Sequence, residues 1–356
     1  VTKAPEVIIR TDGAVGRISL NRPAALNALT LGMCRTMTQA LLAWAVDPAI
    51  RLVMLDHAEG RGFCAGGDIR TLADSLAEGD DFARSFFREE YQLDHLLFAY
   101  PKPTVVFMDG VVMGGGSGVA MPCRFRIATE ACAFAMPETG IGLFPDVGGG
   151  WFLSRLTDKA GRWMALTGAR VDAANCLVLG LATHFAPASD LAALKAQIIA
   201  NPDAIEAILE NVDGGPGEAT FPTIRAAVGR AFAGPTVEAI LAALAQEDDW
   251  GTAQAAAIRQ KSPLMQKVAL RQLIEGARHT SFAQTLAMEF RIAAHLIGGH
   301  DFKEGVRALI LDKDNAPKWS PGRLEEVDDR LVDAAFSPLP PAEEWTPLEP
   351  VLELHR

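Results

Sequence analysis

The apolar positions fall into two rhythms. Leu52-Val-Met-Leu55 and Thr104-Val-Val-Phe-Met108 are unbroken short runs and read as buried strands. Glu6-Val-Ile-Ile-Arg10 and Val15-Gly-Arg-Ile-Ser-Leu20 flank Thr11-Asp12-Gly13, which predicts a hairpin. Phe125-Arg-Ile-Ala128 and Ala131-Cys-Ala-Phe134 predict two more strands. Between them the period lengthens. Thr30 opens a helix that ends at Asp47-Pro48, with Leu31, Cys34, Thr38, Leu41 and Leu42 on its buried side. A helix over 81–100 carries a stripe of Phe82, Phe86, Leu93 and Leu97, and shorter helices are expected at 150–156, 158–167 and 172–179. Alternating strands and helices argue an α/β fold. From about 189 strand signals stop. Helices are predicted over 191–200, 203–210, 221–232, 237–245, 250–260, 264–277 and 281–297, broken by the glycine-rich loop 211–217. The expected division is a core over 1–188, a helical region over 189–336 and a Pro-rich extended tail over 337–356, with no internal repeat.

Two breaks in the pattern carry chemistry. Arg61-Gly-Phe-Cys-Ala-Gly-Gly-Asp68 lies between the 52–55 strand and a helix from Ile69, with Asp68 as N-cap. Asp109-Gly110 and Met113-Gly-Gly-Gly-Ser-Gly118 follow the 104–108 strand and lead into another helix. Each reads first as an ordinary turn. Together, two such junctions side by side could each aim one N–H at the same oxygen and form an oxyanion hole, where a donor is worth roughly 3 kcal/mol in the transition state. Glu90 falls inside the 81–100 apolar stripe. A carboxylate there is a snorkelling or salt-bridged edge position, or a working group.

Composition narrows the classes. The 356 residues carry a formal charge of −11, which argues against general nucleic-acid or anionic-membrane binding but allows a local basic patch for coenzyme A. Five cysteines without a C-x-x-C pair suggest a reducing compartment, and Cys64 is read as packing. No apolar run approaches a membrane span, and the first residues show no signal or transit character, so a cytoplasmic protein is expected. No P-loop, zinc-protease or nucleophile-elbow pattern is present, the histidines form no ligand-spaced cluster, and no metal is implied.

Asn21-Arg-Pro-Ala-Ala-Leu-Asn-Ala-Leu29, Phe63-Cys-Ala-Gly-Gly-Asp68, Gly114-Gly-Gly116 and Met136-Pro-Glu138 resemble the successive signatures of the crotonase (enoyl-CoA hydratase/isomerase) superfamily. Ala135-Met-Pro-Glu-Thr-Gly-Ile-Gly-Leu-Phe-Pro-Asp-Val-Gly-Gly-Gly150 is similar to its 3-hydroxyisobutyryl-CoA hydrolases, as are Phe87-Arg-Glu-Glu-Tyr91, 299–308 and 312–319. The resemblance implies a spiral of β-β-α units with two nearly perpendicular sheets, and it covers about residues 6 to 336. It also implies oxyanion donors at the N–H groups of Ala65 and Gly115, a substrate cradle of Gly66, Gly67, Asp68, Gly114 and Glu90, and Glu138 as leading carboxylate with Asp146 as its partner. Glu138 would attack the thioester carbonyl or activate water, and Asp146 would orient substrate or water; its other reading is a helix cap. Hydratases of the family carry a second glutamate where this chain has Gly118, so the two-glutamate machinery for adding water to a double bond looks absent. Family members commonly have a basic residue where this chain has Ala24. Arg22, Arg61 or Lys313 could take over its phosphate contact, and backbone at Ala25 and Leu26 could hold the adenine.

The expected activity is hydrolysis of a short 3-hydroxyacyl-CoA to the free acid and CoA, as in valine catabolism. The substrate is an acyl-CoA, with no separate cofactor and no nucleic-acid or membrane partner. Homo-oligomers occur among the relatives. The alternatives are a hydratase, isomerase or dehydratase of the same superfamily, or a CoA-ester-binding protein without turnover.

Overall fold

The hairpin around Asp12-Gly13 forms as its pattern predicts, and the sheet grows from it. A computed structural model describes residues 4–79 and 81–348. Among these, nine strands form two sheets: β1 (Val7–Asp12), β2 (Val15–Leu20), β3 (Leu52–His57), β4 (Gly62–Cys64), β5 (Thr104–Met108), β6 (Val111–Met113), β7 (Phe125–Ala128), β8 (Ala133–Ala135) and β9 (His184–Phe185). The larger sheet has the order β1-β2-β3-β5-β7-β9, antiparallel at β1–β2 and parallel beyond. A parallel strand covered on both faces has no polar side, which is why β3 and β5 read as continuous apolar runs. The smaller sheet is β4-β6-β8, all parallel. Three of these strands were not expected: β4, β6 and β9. Residues 62–64 read as part of a turn because three residues show no period, and β9 is shorter still.

The helices are α1 (Leu31–Val46), α2 (Ile69–Glu78), α3 (Phe82–Phe98), α4 (Gly115–Ala120), α5 (Gly149–Phe152), α6 (Ala160–Thr167), α7 (Ala173–Leu179), α8 (Leu191–Ala200), α9 (Ile205–Glu210), α10 (Phe221–Ala231), α11 (Val237–Leu244), α12 (Asp249–Arg259), α13 (Pro263–Gly276), α14 (Phe282–Leu296), α15 (His300–Val306) and α16 (Asp329–Phe336). Local signals set their ends. Thr30 caps α1 by accepting from the Met33 N–H, Asp68 caps α2 from Thr71, and Ser281 with Gln284 forms a capping box on α14.

Two packing relations place the site. First, β4 pairs with β6, so the β4–α2 and β6–α4 junctions lie side by side. They approach so closely that a Cβ on Gly116 would stand 2.3 Å from the Cys64 carbonyl oxygen. Second, α3 lies against α1 on one side and α14 on the other, and buries Phe86, Glu90, Leu93 and Leu97. The C-terminal helices share the core with the sheets: Phe232, Leu273, Phe282 and Phe290 belong to the same apolar cluster as Leu55 and Phe134. Each such large side chain is worth about 1.5–3 kcal/mol when fully buried.

Residues 337–348 have no helix or strand, and part of this stretch is strapped along α3. Trp345 is buried and donates its indole N–H to the Arg88 carbonyl, while the Arg88 guanidinium donates to the carbonyls of Glu343 and Glu344. The rest of the expected tail, 349–356, lies outside the described residues. No helix among the described residues is long and apolar enough to cross a membrane.

Candidate active site

The two glycine junctions open onto a cavity of about 180 Å³ walled by apolar side chains, among them Leu72, Phe86, Phe87 and Ile141. Ala65, Gly66, Gly67, Gly114 and Gly115 form its backbone side, and Glu90, Glu138 and Asp146 its acidic side. Ile310, from a π-helical turn at Arg307–Leu311, reaches it from the C-terminal region.

One donor differs from expectation. The Ala65 N–H is already bonded to the Leu26 carbonyl at 3.0 Å and cannot serve an incoming oxygen. The N–H groups of Gly67 and Gly115 have no acceptor among the described residues. The Gly67 nitrogen stands 3.4 Å from where a Cβ on Gly115 would sit. The free pair is therefore Gly67 and Gly115. Gly115 begins α4, so its N–H is one of the orphan donors that a helix start leaves over. Gly67 directly precedes the α2 cap residue, a position legible once Asp68 is recognised as N-cap.

Carboxylates flank this pair. Glu138 starts a 3-10 turn over Glu138–Ile141, and its Oε1 lies 3.3 Å from where a Cβ on Gly114 would be. Glu90 Oε1 lies 2.2 Å from the corresponding point on Gly115, so a side chain there would collide with the acid. Glu90 does not snorkel; it is fully buried and its Oε1 has no partner, while its neighbour Glu89 turns outward to a bidentate pair with Arg35. Asp146 is buried and accepts 2.8 Å from the Tyr91 hydroxyl.

Sequence reading missed Asp94. It sits one turn after Glu90 on α3, 0% exposed, and both its oxygens lack partners. The signal was its spacing of four from Glu90 on the same face. Both Asp94 oxygens lie 2.9 Å from where a Cβ on Gly118 would be, and Val147 Cβ lies at 2.6 Å. The space a glutamate at 118 would need is filled.

Burial dominates the electrostatics. It holds Glu138 well above the usual carboxylate range, with the Asp146 charge adding to the rise and the Glu138 backbone N–H and Lys261 opposing it. Burial likewise raises Glu90, helped by Asp146, and raises Asp94, helped by Glu90, Asp146 and Glu289. Asp146 is pushed up only to about 7, because the Tyr91 hydroxyl and its own backbone N–H stabilise its charged form. Like charges in so small a dry space cannot all be present, so Asp146 is the group that takes the charge most readily. Cys64 is buried and its thiol is raised to about 12, mainly by burial, which keeps it out of this chemistry as expected.

The remaining candidates divide. Asp68 faces away from the cavity: it caps α2 and pairs with Arg22 at 2.8 Å. Arg22, expected on a CoA phosphate, spends its guanidinium on Asp68, the Ala28 carbonyl and Glu6, and braces the 22–28 turn to the start of α2. The N–H groups of Ala25 and Leu26 are bonded to Arg22 and Pro23 carbonyls, so only carbonyl lone pairs at these residues are open to an adenine amino group. Arg61 and Lys313 are exposed.

The profile of the family described as enoyl-CoA hydratase/isomerase matches residues 15–336. A chicken protein named mitochondrial 3-hydroxyisobutyryl-CoA hydrolase is 41% identical, over 94% of this chain and 90% of its own. The crystal structure of a carnitinyl-CoA dehydratase from Mycobacterium thermoresistibile aligns with a TM-score of 0.91 at 38% identity, covering 96% of this chain and 98% of that one. An enoyl-CoA hydratase structure from Rhodobacter sphaeroides aligns at 0.89 and 37%, covering 96% and 100%.

Proposed function

This chain belongs to the enoyl-CoA hydratase/isomerase family, and from that premise we propose that it hydrolyses a short 3-hydroxyacyl-CoA, 3-hydroxyisobutyryl-CoA above all, to the free acid and CoA. The observation that carries the choice is the crowding at Gly118: Val147 and Asp94 occupy the room for a second catalytic glutamate, while Glu138 and Asp146 both face the cavity. The two solved relatives with dehydratase and hydratase names keep hydration as the competing reading.

In the proposed reaction the thioester oxygen sits between the N–H groups of Gly67 and Gly115. These donors are fixed before the reaction, so they stabilise the oxyanion without reorganising. Glu138, as carboxylate, either attacks the carbonyl carbon to give a mixed anhydride that water then cleaves, or takes a proton from water as it attacks. In both routes the C–S bond breaks and CoA leaves as the thiol after gaining a proton. Burial raises the affinity of Glu138 for a proton, which makes it the stronger base once it is ionised. Asp146, held by Tyr91, and Glu90 orient the 3-hydroxyl or the water. A site that bonds that hydroxyl should reject esters lacking it by up to ~10⁴-fold.

No cofactor beyond the CoA of the substrate is required by this scheme. Arg61 and Lys313 are the proposed phosphate contacts, since Arg22 is engaged elsewhere. Five free, buried cysteines suit a reducing compartment; a cytoplasmic place rests on that alone, and the chicken relative is named mitochondrial. Homo-oligomerisation remains part of the proposal. The test is release of CoA from 3-hydroxyisobutyryl-CoA, followed as free thiol. The reading expects release by the wild type and its loss in Glu138→Gln; release that survives the substitution would remove Glu138 from the mechanism.

A further inference from the structure

The Asp146 turn is strained and is held from outside its own segment. Val147 has φ +50°, a left-handed conformation that a β-branched residue rarely adopts. Such a residue persists only where the surroundings over-determine it. Here the surroundings are two buried side chains from the C-terminal helices. Gln272 of α13 donates its amide N–H to the Pro145 carbonyl at 2.6 Å and to Glu289 Oε1 at 2.8 Å. Glu289 of α14 accepts the Gly148 N–H at 2.7 Å and the Gly150 N–H at 2.8 Å. Both residues are 0% exposed. Three of these bonds grip the chain on each side of Asp146-Val147, and the fourth ties the two side chains to each other. Gly276, at the end of α13, comes so close to the loop that a Cβ there would meet the Gly150 carbonyl oxygen at 2.3 Å.

We propose that Gln272 and Glu289 are positioning residues for the reaction: they hold the strained Val147 turn so that Asp146 faces the cavity. This assigns the helical region a part in turnover as well as in packing. It rests on the hydrolase reading, because it needs Asp146 to act on substrate or water. Neither Gln272 nor Glu289 lines the cavity, so neither touches the substrate directly.

The test compares purified wild type, Gln272→Met, Glu289→Gln and the double variant Gln272→Met/Val147→Gly, by steady-state CoA release and thermal unfolding. Gln272→Met keeps the bulk and removes the donor to Pro145. Its kcat is expected to fall about 10- to 100-fold with KM changed less than about threefold, as for a displaced reactive group. Glu289→Gln, which turns an acceptor into a donor facing an N–H, should fall at least as far and serves if the first variant does not fold. Glycine adopts φ near +50° without strain, so Val147→Gly in the Gln272→Met background should restore about tenfold in kcat. A purely structural role predicts the reverse: lower stability in the double variant and no return of activity. Folded single variants with kcat within twofold of wild type, or no rescue in the double, would overturn the proposal. A wild type that releases no CoA would instead overturn the hydrolase reading, and this proposal with it.

Discussion

The two sides of the site are built on different principles. The backbone side, Gly67 and Gly115, draws its polarity from groups that every chain carries. Two short strands pair, two helices start, and the leftover N–H groups converge. The acidic side is made of three carboxyls, Glu90, Glu138 and Asp146, with Asp94 buried one turn after Glu90, each at most 5% exposed. Several of their oxygens are without partners. A buried polar atom without a partner costs about 1–3 kcal/mol, more if charged. Neutral N–H donors thus cost the fold less than reactive acids, which work against it and need support from residues remote in sequence.

The sharpest way to break the acidic side is Glu138→Gln. CoA release should fall by about 10³-fold or more, with KM little changed, since the group acts in the transition state. The backbone side is broken by Gly115→Ala, whose new methyl would stand 2.2 Å from Glu90 Oε1. We expect a loss of about 10²-fold in kcat, the scale of removing one oxyanion donor. A drop of less than threefold would mean that the thioester oxygen lies elsewhere.

Tyr91→Phe sharpens the comparison within the acidic side. The Tyr91 hydroxyl stabilises the charged form of Asp146, so its loss should raise Asp146 above its value of about 7. If turnover requires ionised Asp146, the acidic limb of the kcat profile moves to higher pH by about one unit. An unmoved limb would separate Asp146 from that ionisation.

The smallest effect is on stability. Asp94 has its folded-state affinity for a proton raised well above the usual range, chiefly by burial. The folded chain therefore keeps this proton when the unfolded chain has lost it. The stabilisation is full below the unfolded value and is lost as pH rises through the folded one. Asp94→Asn has no proton to lose, so its Tm relative to wild type should improve from pH 5 to pH 8, by on the order of 2 °C. A constant difference between the two pH values would show that Asp94 stays charged in the fold.

The backbone side was largely legible in the sequence, because strand, glycines and helix start are all local features. The exception is instructive. Ala65 and Gly67 belong to the same small-residue run, and only the bond from Ala65 to the Leu26 carbonyl, a partner 39 positions away, shows which N–H is free. Glu90 was legible from the apolar stripe, and Glu138 and Asp146 from family resemblance. Asp94 was hidden because a charged residue beside Leu93 looks like the polar edge of a helix. Gln272 and Glu289 read as ordinary polar positions of amphipathic helices; their target is the turn at 145–150, and no local pattern records that contact. Arg22 and Asp68 show the converse error: charged residues in a signature stretch turned out to brace each other.

The central claim is that these carboxylates hydrolyse a thioester and do not hydrate a double bond. It is tested most directly by one incubation of the purified protein with an equimolar mixture of 3-hydroxyisobutyryl-CoA and crotonyl-CoA, with every CoA species separated and quantified. The account predicts free CoA and 3-hydroxyisobutyrate, with crotonyl-CoA recovered unchanged. Formation of 3-hydroxybutyryl-CoA with no free CoA would contradict it, and would mean that the filled space at Gly118 does not prevent hydration.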